Sequence, residues 1–171
     1  MRRSEGPDRQ NDDTHIKLSE TLDIKPADFE VIAAYLNTGR FEPKIISGAH
    51  GQPTLDGVLT AADGDAAAFY IARAYHTASR LEIAPLQKRC VEKLRLLPQI
   101  SAHALAFALT CFANERLYGA RAAVEMEQWL VDRCSEGFFG LMKVCGDVFG
   151  KVLEENTHFR MSVCGRMARL E

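Results

Sequence analysis

The six residues Gly146-Asp147-Val148-Phe149-Gly150-Lys151 come nearest to a known chemical motif, a glycine-rich loop whose backbone N–H groups and lysine cradle a phosphate. The run is one residue short of that motif and lacks the Ser or Thr that would hold magnesium. It also lies inside an apolar helical stripe rather than after a strand, so phosphate chemistry is not expected there. Glu154 and His158 stand four residues apart, the spacing that puts an acid and a base on one helix face. Between them, Asn156-Thr157 reads as a C-cap followed by an N-cap, so the helix should break and leave both as surface residues.

Nucleophilic and metal chemistry have no better footing. No Gly-x-Ser-x-Gly elbow occurs, and Cys90, Cys111, Cys134, Cys145 and Cys164 lie in apolar stripes, away from the electropositive loops or helix starts that stabilise a thiolate. They are odd in number and lack the close-spaced pair a structural zinc site usually shows, so free, buried thiols in a reducing compartment are expected. His15, His50, His76, His103 and His158 never cluster, and His76 and His103 read as helix-surface residues. No catalytic, metal or cofactor-binding residue is expected.

Trp129 reads as a core anchor with a wetted N–H, and Arg116, Arg121, Glu125 and Glu127 as a solvated helix face. Arg40-Phe41, directly after the helix-ending Gly39, has two readings. The aromatic could be an exposed anchor for a partner, or it could pack back on its helix.

The elements that must position these residues are mostly helices. Ala67, Ile71, Ala74, Ala78 and Leu81 recur at helical spacing, with Phe69, Tyr70 and Tyr75 widening the apolar surface. Leu81-Glu82-Ile83 forms a tight corner, Pro85 falls in the first turn of the next helix, and Leu86, Cys90, Leu94 and Leu97 make its stripe before Pro98. This hairpin, spanning residues 66–94, is the scaffold of the chain.

Upstream, residues 1–14 are polar and read as a mobile lead-in, and His15-Ile16-Lys17-Leu18-Ser19 alternates as a short half-buried strand. Pro26 opens a helix to about residue 38, with Phe29, Ile32, Ala33 and Leu36 on its apolar face and Gly39 as a left-handed terminator. Residues 42–65, with four Gly, two Pro and three Asp, read as a long loop in which Ile45-Ile46 forms at most a short strand.

Downstream, Ser101 caps a helix carrying Leu105, Ala108, Leu109 and Phe112 that should end near Tyr118-Gly119. The next carries Ala123, Met126, Leu130 and Cys134. Phe138, Leu141, Met142, Cys145, Val148, Phe149 and Val152 then give the strongest period, interleaved with glycines that permit close helix contact. Phe159, Val163, Met167 and Leu170 close the fold as a docking helix. The expected class is mainly α, with at most one or two short strands.

Tyr75, Ala78, Leu81, Ile83, Leu86, Gln87, Cys90 and Leu94 stand in a pattern that resembles the C-terminal helical hairpin of BTB/POZ domains. Ile16 to Pro43 is similar to the strand, acidic turn, helix and Tyr-Thr-Gly terminator of the same family. The likeness is greatest with the short fungal members that carry a helical extension. It implies a partial BTB/POZ-like region at residues 15–98, an extension at 99–171, and no counterpart to the family's N-terminal half, since only 15 residues precede Ile16.

The same resemblance implies a non-enzymatic protein-interaction module, for oligomerisation or as a ubiquitin-ligase adaptor element, in cytoplasm or nucleus. Its partner would be a second copy, another BTB protein or a cullin-type scaffold. Asn37-Thr38-Gly39 stands where the family has Tyr-Thr-Gly, and the lost aromatic argues against the cullin contact. Ile16, Leu18, Asn37, Arg40 and Phe41 are the expected interaction residues.

Composition narrows the alternatives. A net charge of −2 with scattered Lys and Arg gives no basic face on any one helix, which disfavours a small helical regulator binding nucleic acid. No window approaches the length of an apolar membrane span. A helical enzyme holding a cofactor would need a polar constellation in an apolar pocket, which the pattern does not offer.

Overall fold

The computed structural model describes residues 24–113 and 121–170. These contain seven α-helices and one two-stranded antiparallel sheet, in the order α1 (Pro26–Thr38), β1 (Ile45–Ser47), β2 (Pro53–Leu55), α2 (Ala61–Arg80), α3 (Ala84–Arg95), α4 (Ala102–Ala113), α5 (Arg121–Glu136), α6 (Phe138–Glu155) and α7 (Thr157–Met167). The mainly helical class read from the pattern is the one observed. No described helix is long and apolar enough to cross a membrane. The strand expected at residues 15–19, with Ile16 and Leu18, lies outside the described residues, as does the helix end expected near Tyr118.

Helix α1 begins with Pro26 in its first turn, where the missing N–H has no acceptor to lose. It ends at Gly39, whose φ of 67° lets its N–H reach the Tyr35 carbonyl. Its buried face matches the expected one in part. Ile32 is buried and Phe29 and Ala33 are half-buried, but Val31 is buried too and Leu36 is 63% exposed, because α1 meets only one neighbour closely, α2, and a single contact line buries a narrow stripe. An ion pair between Arg73 and Asp28 joins the two helices.

The segment read as one long loop holds a hairpin and the first turn of a helix. β1 pairs with β2 in the register Ile45↔Leu55, Ile46↔Thr54, Ser47↔Pro53. Gly48 closes the turn with its N–H on the Gln52 carbonyl at 2.8 Å; a Cβ there would stand 2.8 Å from the Thr54 methyl. The helix starts at Ala61 rather than Ala66, since Thr60 and Asp63 form a capping box that satisfies its first donors.

Helix α2 is the hub, packing against α1, α3 and α4. Its buried Ala67, Ala68, Ala72, Ala74 and Ala78 have no bulk to hold neighbours away. At its start, buried Gly64 allows the Gln99 carbonyl within 3.0 Å of where a Cβ would lie, and the Asp65 carboxylate accepts the Ser101 N–H at 2.6 Å. The corner to α3 closes with the Ile83 N–H on the Ala78 carbonyl at 2.8 Å and Glu82 at φ 55°. In α3, Leu86, Cys90 and Leu94 are fully buried, with Leu97 just beyond its end.

The later helices add to the same interior. Ser101 caps α4, its hydroxyl accepting the Ala104 N–H at 3.2 Å. Arg133 of α5 donates to the Leu97 carbonyl at 2.7 Å, and the Ser135 hydroxyl lies 2.6 Å from the Val131 carbonyl and 3.3 Å from that of Val163 on α7. One hydrophobic core runs from Val31 of α1 to Val163 of α7 without a break at residues 98–99.

Helix α6 departs from its strong period. Leu141, Phe149 and Val152 are buried, but Met142 and Val148 are 44% and 46% exposed. The helix is interrupted at Cys145 (φ −132°, ψ 32°), so the residues before and after it do not share one straight stripe. Nor do its glycines serve close packing: nothing lies within 4 Å of a Cβ built at Gly140, Gly146 or Gly150.

Candidate functional site

The α1 terminus, β1 and the second half of α3 converge at one corner of the molecule. Gly39 reverses the chain through its left-handed conformation, leaving Arg40 exposed and turning Phe41 inward. Phe41 is 4% exposed and belongs to the core, so its reading as an exposed anchor is corrected in favour of packing back. Asn37, at the end of α1, is exposed.

The reason Phe41 is held so firmly is Lys93. This α3 side chain is 3% exposed, and its ammonium donates to the Phe41 carbonyl while lying 3.5 Å from the centroid of the Phe41 ring. A carbonyl and a π face are partial partners for a buried cation, which ordinarily sits beside a carboxylate. Burial therefore dominates and pushes the Lys93 ammonium down to about 8. Cys90 and Glu42 act in the opposite direction, and Arg89 in the same one.

Above Lys93 opens a pocket of about 330 Å³ lined by Gly39, Arg40, Phe41, Lys44, Ile45, Arg89 and Lys93. Four of these seven are cations. Lys44 pairs with Glu42 at 3.5 Å and Arg89 with Glu92 at 2.7 Å, both at the exposed rim. Among the described residues no carboxylate is paired with Arg40 or Lys93.

This cluster was missed in the sequence because its members come from three elements. Arg89 and Lys93, four apart on α3, are the one local signal, and they stand outside the apolar stripe of that helix.

A second feature is the set of large apolar residues that α6 leaves exposed. Phe139 is 80% exposed, and Met142, Val144 and Val148 are also exposed. α6 packs on α4 through Leu141, Phe149 and Val152, and helical spacing sets Phe139 and Met142 on one flank of that buried line and Val144 and Val148 on the other.

The remaining candidates resolve simply. The Gly146–Lys151 run is inside α6, without a phosphate-loop conformation. The helix does break at Asn156, and His158 faces Glu127 of α5 at 3.0 Å rather than Glu154. Trp129 is a core residue, but its N–H is buried without an acceptor among the described residues instead of being wetted. All five cysteines are free. Cys90 and Cys134 are buried, Cys111 and Cys145 half-buried, and Cys164 exposed, contrary to its reading as a buried thiol, because it lies off the Phe159–Val163 face of α7. Burial pushes the Cys134 thiol up to about 12, the opposite of what a nucleophile requires. The described residues contain no group of three or more His, Cys, Asp or Glu able to hold a metal.

No family model, no curated protein and no solved structure matches the chain.

Proposed function

We propose that the chain is a non-enzymatic protein-interaction module of BTB/POZ type that associates with a second copy of itself. The observation that carries this reading is the set of large apolar residues that α6 leaves exposed, Phe139 above all. A Phe side chain left 80% exposed forgoes roughly 2 kcal/mol of burial, and Met142 stands on the same flank of the helix. Exposed large apolar groups of this kind are what an interface core uses.

Two further observations support the reading. Of the eight positions that carry the BTB/POZ resemblance, Tyr75, Ala78, Leu86, Gln87, Cys90 and Leu94 are buried in the α2–α3 hairpin and Leu81 and Ile83, at its corner, are half-buried. The order of α1 and then the α2–α3 hairpin is also the order that the resemblance implied; the β1–β2 hairpin between them was not part of it. A cullin-type scaffold is the weaker choice of partner, since exposed Asn37 offers no aromatic at the α1 terminus.

Light scattering over a range of concentrations tests the proposal. The expected mass exceeds the 19.0 kDa of one chain and returns to it in Phe139→Glu, an exposed position whose replacement leaves the core intact. A single-chain mass at every concentration would overturn self-association.

A further inference from the structure

We propose that the corner pocket is a binding site for an oxyanion, a carboxylate or phosphate group carried on a small molecule or a side chain. The inference does not depend on the self-association reading. The pocket's volume of about 330 Å³ is at the lower end of the range for small-molecule sites and suits a short organic acid or one acidic side chain.

The chemistry comes from four cations at two depths. Arg40, Lys44 and Arg89 stand at the exposed rim, and Lys93 forms the floor. A guanidinium presents a planar fork that matches two oxygens of a carboxylate or phosphate, and the pocket has two of them. Glu42 and Glu92 offset part of the rim charge through their pairs with Lys44 and Arg89. Among the described residues no carboxylate is paired with the Arg40 guanidinium, and the Lys93 ammonium has only a carbonyl and a ring as described partners.

Lys93 is the independent argument. A cation so deeply placed beside a cavity, acted on by Glu42 but with no carboxylate paired to it among the described residues, is an incomplete electrostatic arrangement. An anion in the pocket completes it. The Phe41 ring and Ile45 supply apolar walls for whatever carries the charged group.

The test is calorimetric titration of the full chain at low salt with inorganic phosphate in one arm and succinate in the other. Saturable 1:1 binding of either probe, with a Kd below about 1 mM, is expected. The arm that binds tighter identifies the oxyanion. Arg40→Gln and Arg89→Gln, at exposed positions that leave the fold alone, should each weaken binding about tenfold, and Lys93→Met by more. Failure of both probes to saturate overturns the site, as does binding that survives both arginine variants unchanged. Neither result would alter the mass measured for the Phe139 surface, so the two proposals stand or fall separately.

Discussion

Lys93 is bound to Phe41 twice, through the main-chain carbonyl and through the face of the ring, 3.5 Å from its centroid. The pair fixes the chain just after α1 to the last turn of α3, across 52 positions of sequence. It also places a cation in a setting that disfavours its charge.

A biphasic dependence of stability on pH follows. Burial pushes the Lys93 ammonium from 10.5 down to about 8, so between those values the unfolded chain holds a proton that the folded chain has released, and stability rises with pH. Burial pushes the Cys134 thiol from 9.0 up to about 12; over that span the folded chain keeps a proton that the unfolded chain has lost, and stability falls. Tyr70, raised by its own burial and by Glu42, Glu30 and Cys90, acts in the same sense as Cys134. Urea unfolding in pH steps should therefore show a rise above about pH 8 that fades or reverses beyond about pH 9. Lys93→Met should remove the rise and Cys134→Ala should reduce the decline. A rising limb that persists in Lys93→Met would show that another group causes it.

The start of α2 depends on Thr60. Its hydroxyl accepts the Asp63 N–H at 3.2 Å, while the Asp63 carboxylate accepts from the Thr60 hydroxyl and the Thr60 and Leu59 N–H groups. These bonds, the Thr60 side chain first, hold the Asp63 carboxyl below its ordinary 3.8. Thr60→Ala should lower stability by about 1 kcal/mol. The stability that Asp63 contributes is present above its ordinary value and lost as pH falls, so the variant should also show a shallower loss in acid. An unchanged denaturation midpoint at neutral pH would argue against the capping box.

Glu82 sits at φ 55°, a conformation that strains any residue with a Cβ. Glu82→Gly should relieve that strain and raise stability by about 1 kcal/mol, or roughly 2–4 °C in Tm. A fall in Tm would mean that Glu82 contributes contacts outweighing its backbone.

Two glycines should respond oppositely to alanine. At Gly150 nothing lies within 4 Å of the new methyl, and the gain in helix propensity should add about 1 kcal/mol. At Gly64 the methyl would meet the Gln99 carbonyl at 3.0 Å, and the loss should be about 1 kcal/mol or more. Paired thermal unfolding of the variants checks the sign of each. Equal effects would show that the Gln99 segment yields freely.

What the sequence revealed was mainly periodicity. Leu86, Cys90, Leu94 and Leu97 repeat over a full helix, and every one is buried. Pro26 and Gly39 bracket α1 as their backbone chemistry dictates. The start of α2 was hidden because Gly64 and two aspartates look like a loop until the Thr60–Asp63 bonds are seen. β2 was hidden because its three residues are too few to show alternation, and its pairing with β1 is fixed by the Gly48 turn. In α6 the apolar stripe is broad and only its middle, Leu141, Phe149 and Val152, is covered, which the period alone does not reveal. The basic corner is a tertiary event, since Arg40, Lys44, Arg89 and Lys93 meet only when the chain after α1 lies against α3.

The interior shared across residues 98–99 has a consequence for how the chain can be divided. With α2 packed on α4 and α3 on α5, a cut after Pro98 would leave two fragments, each holding half of one hydrophobic interior. Neither half would be a self-sufficient folding unit. Mixed together, the two should restore each other's structure by complementation, and the intact chain should lose its helices in one cooperative step.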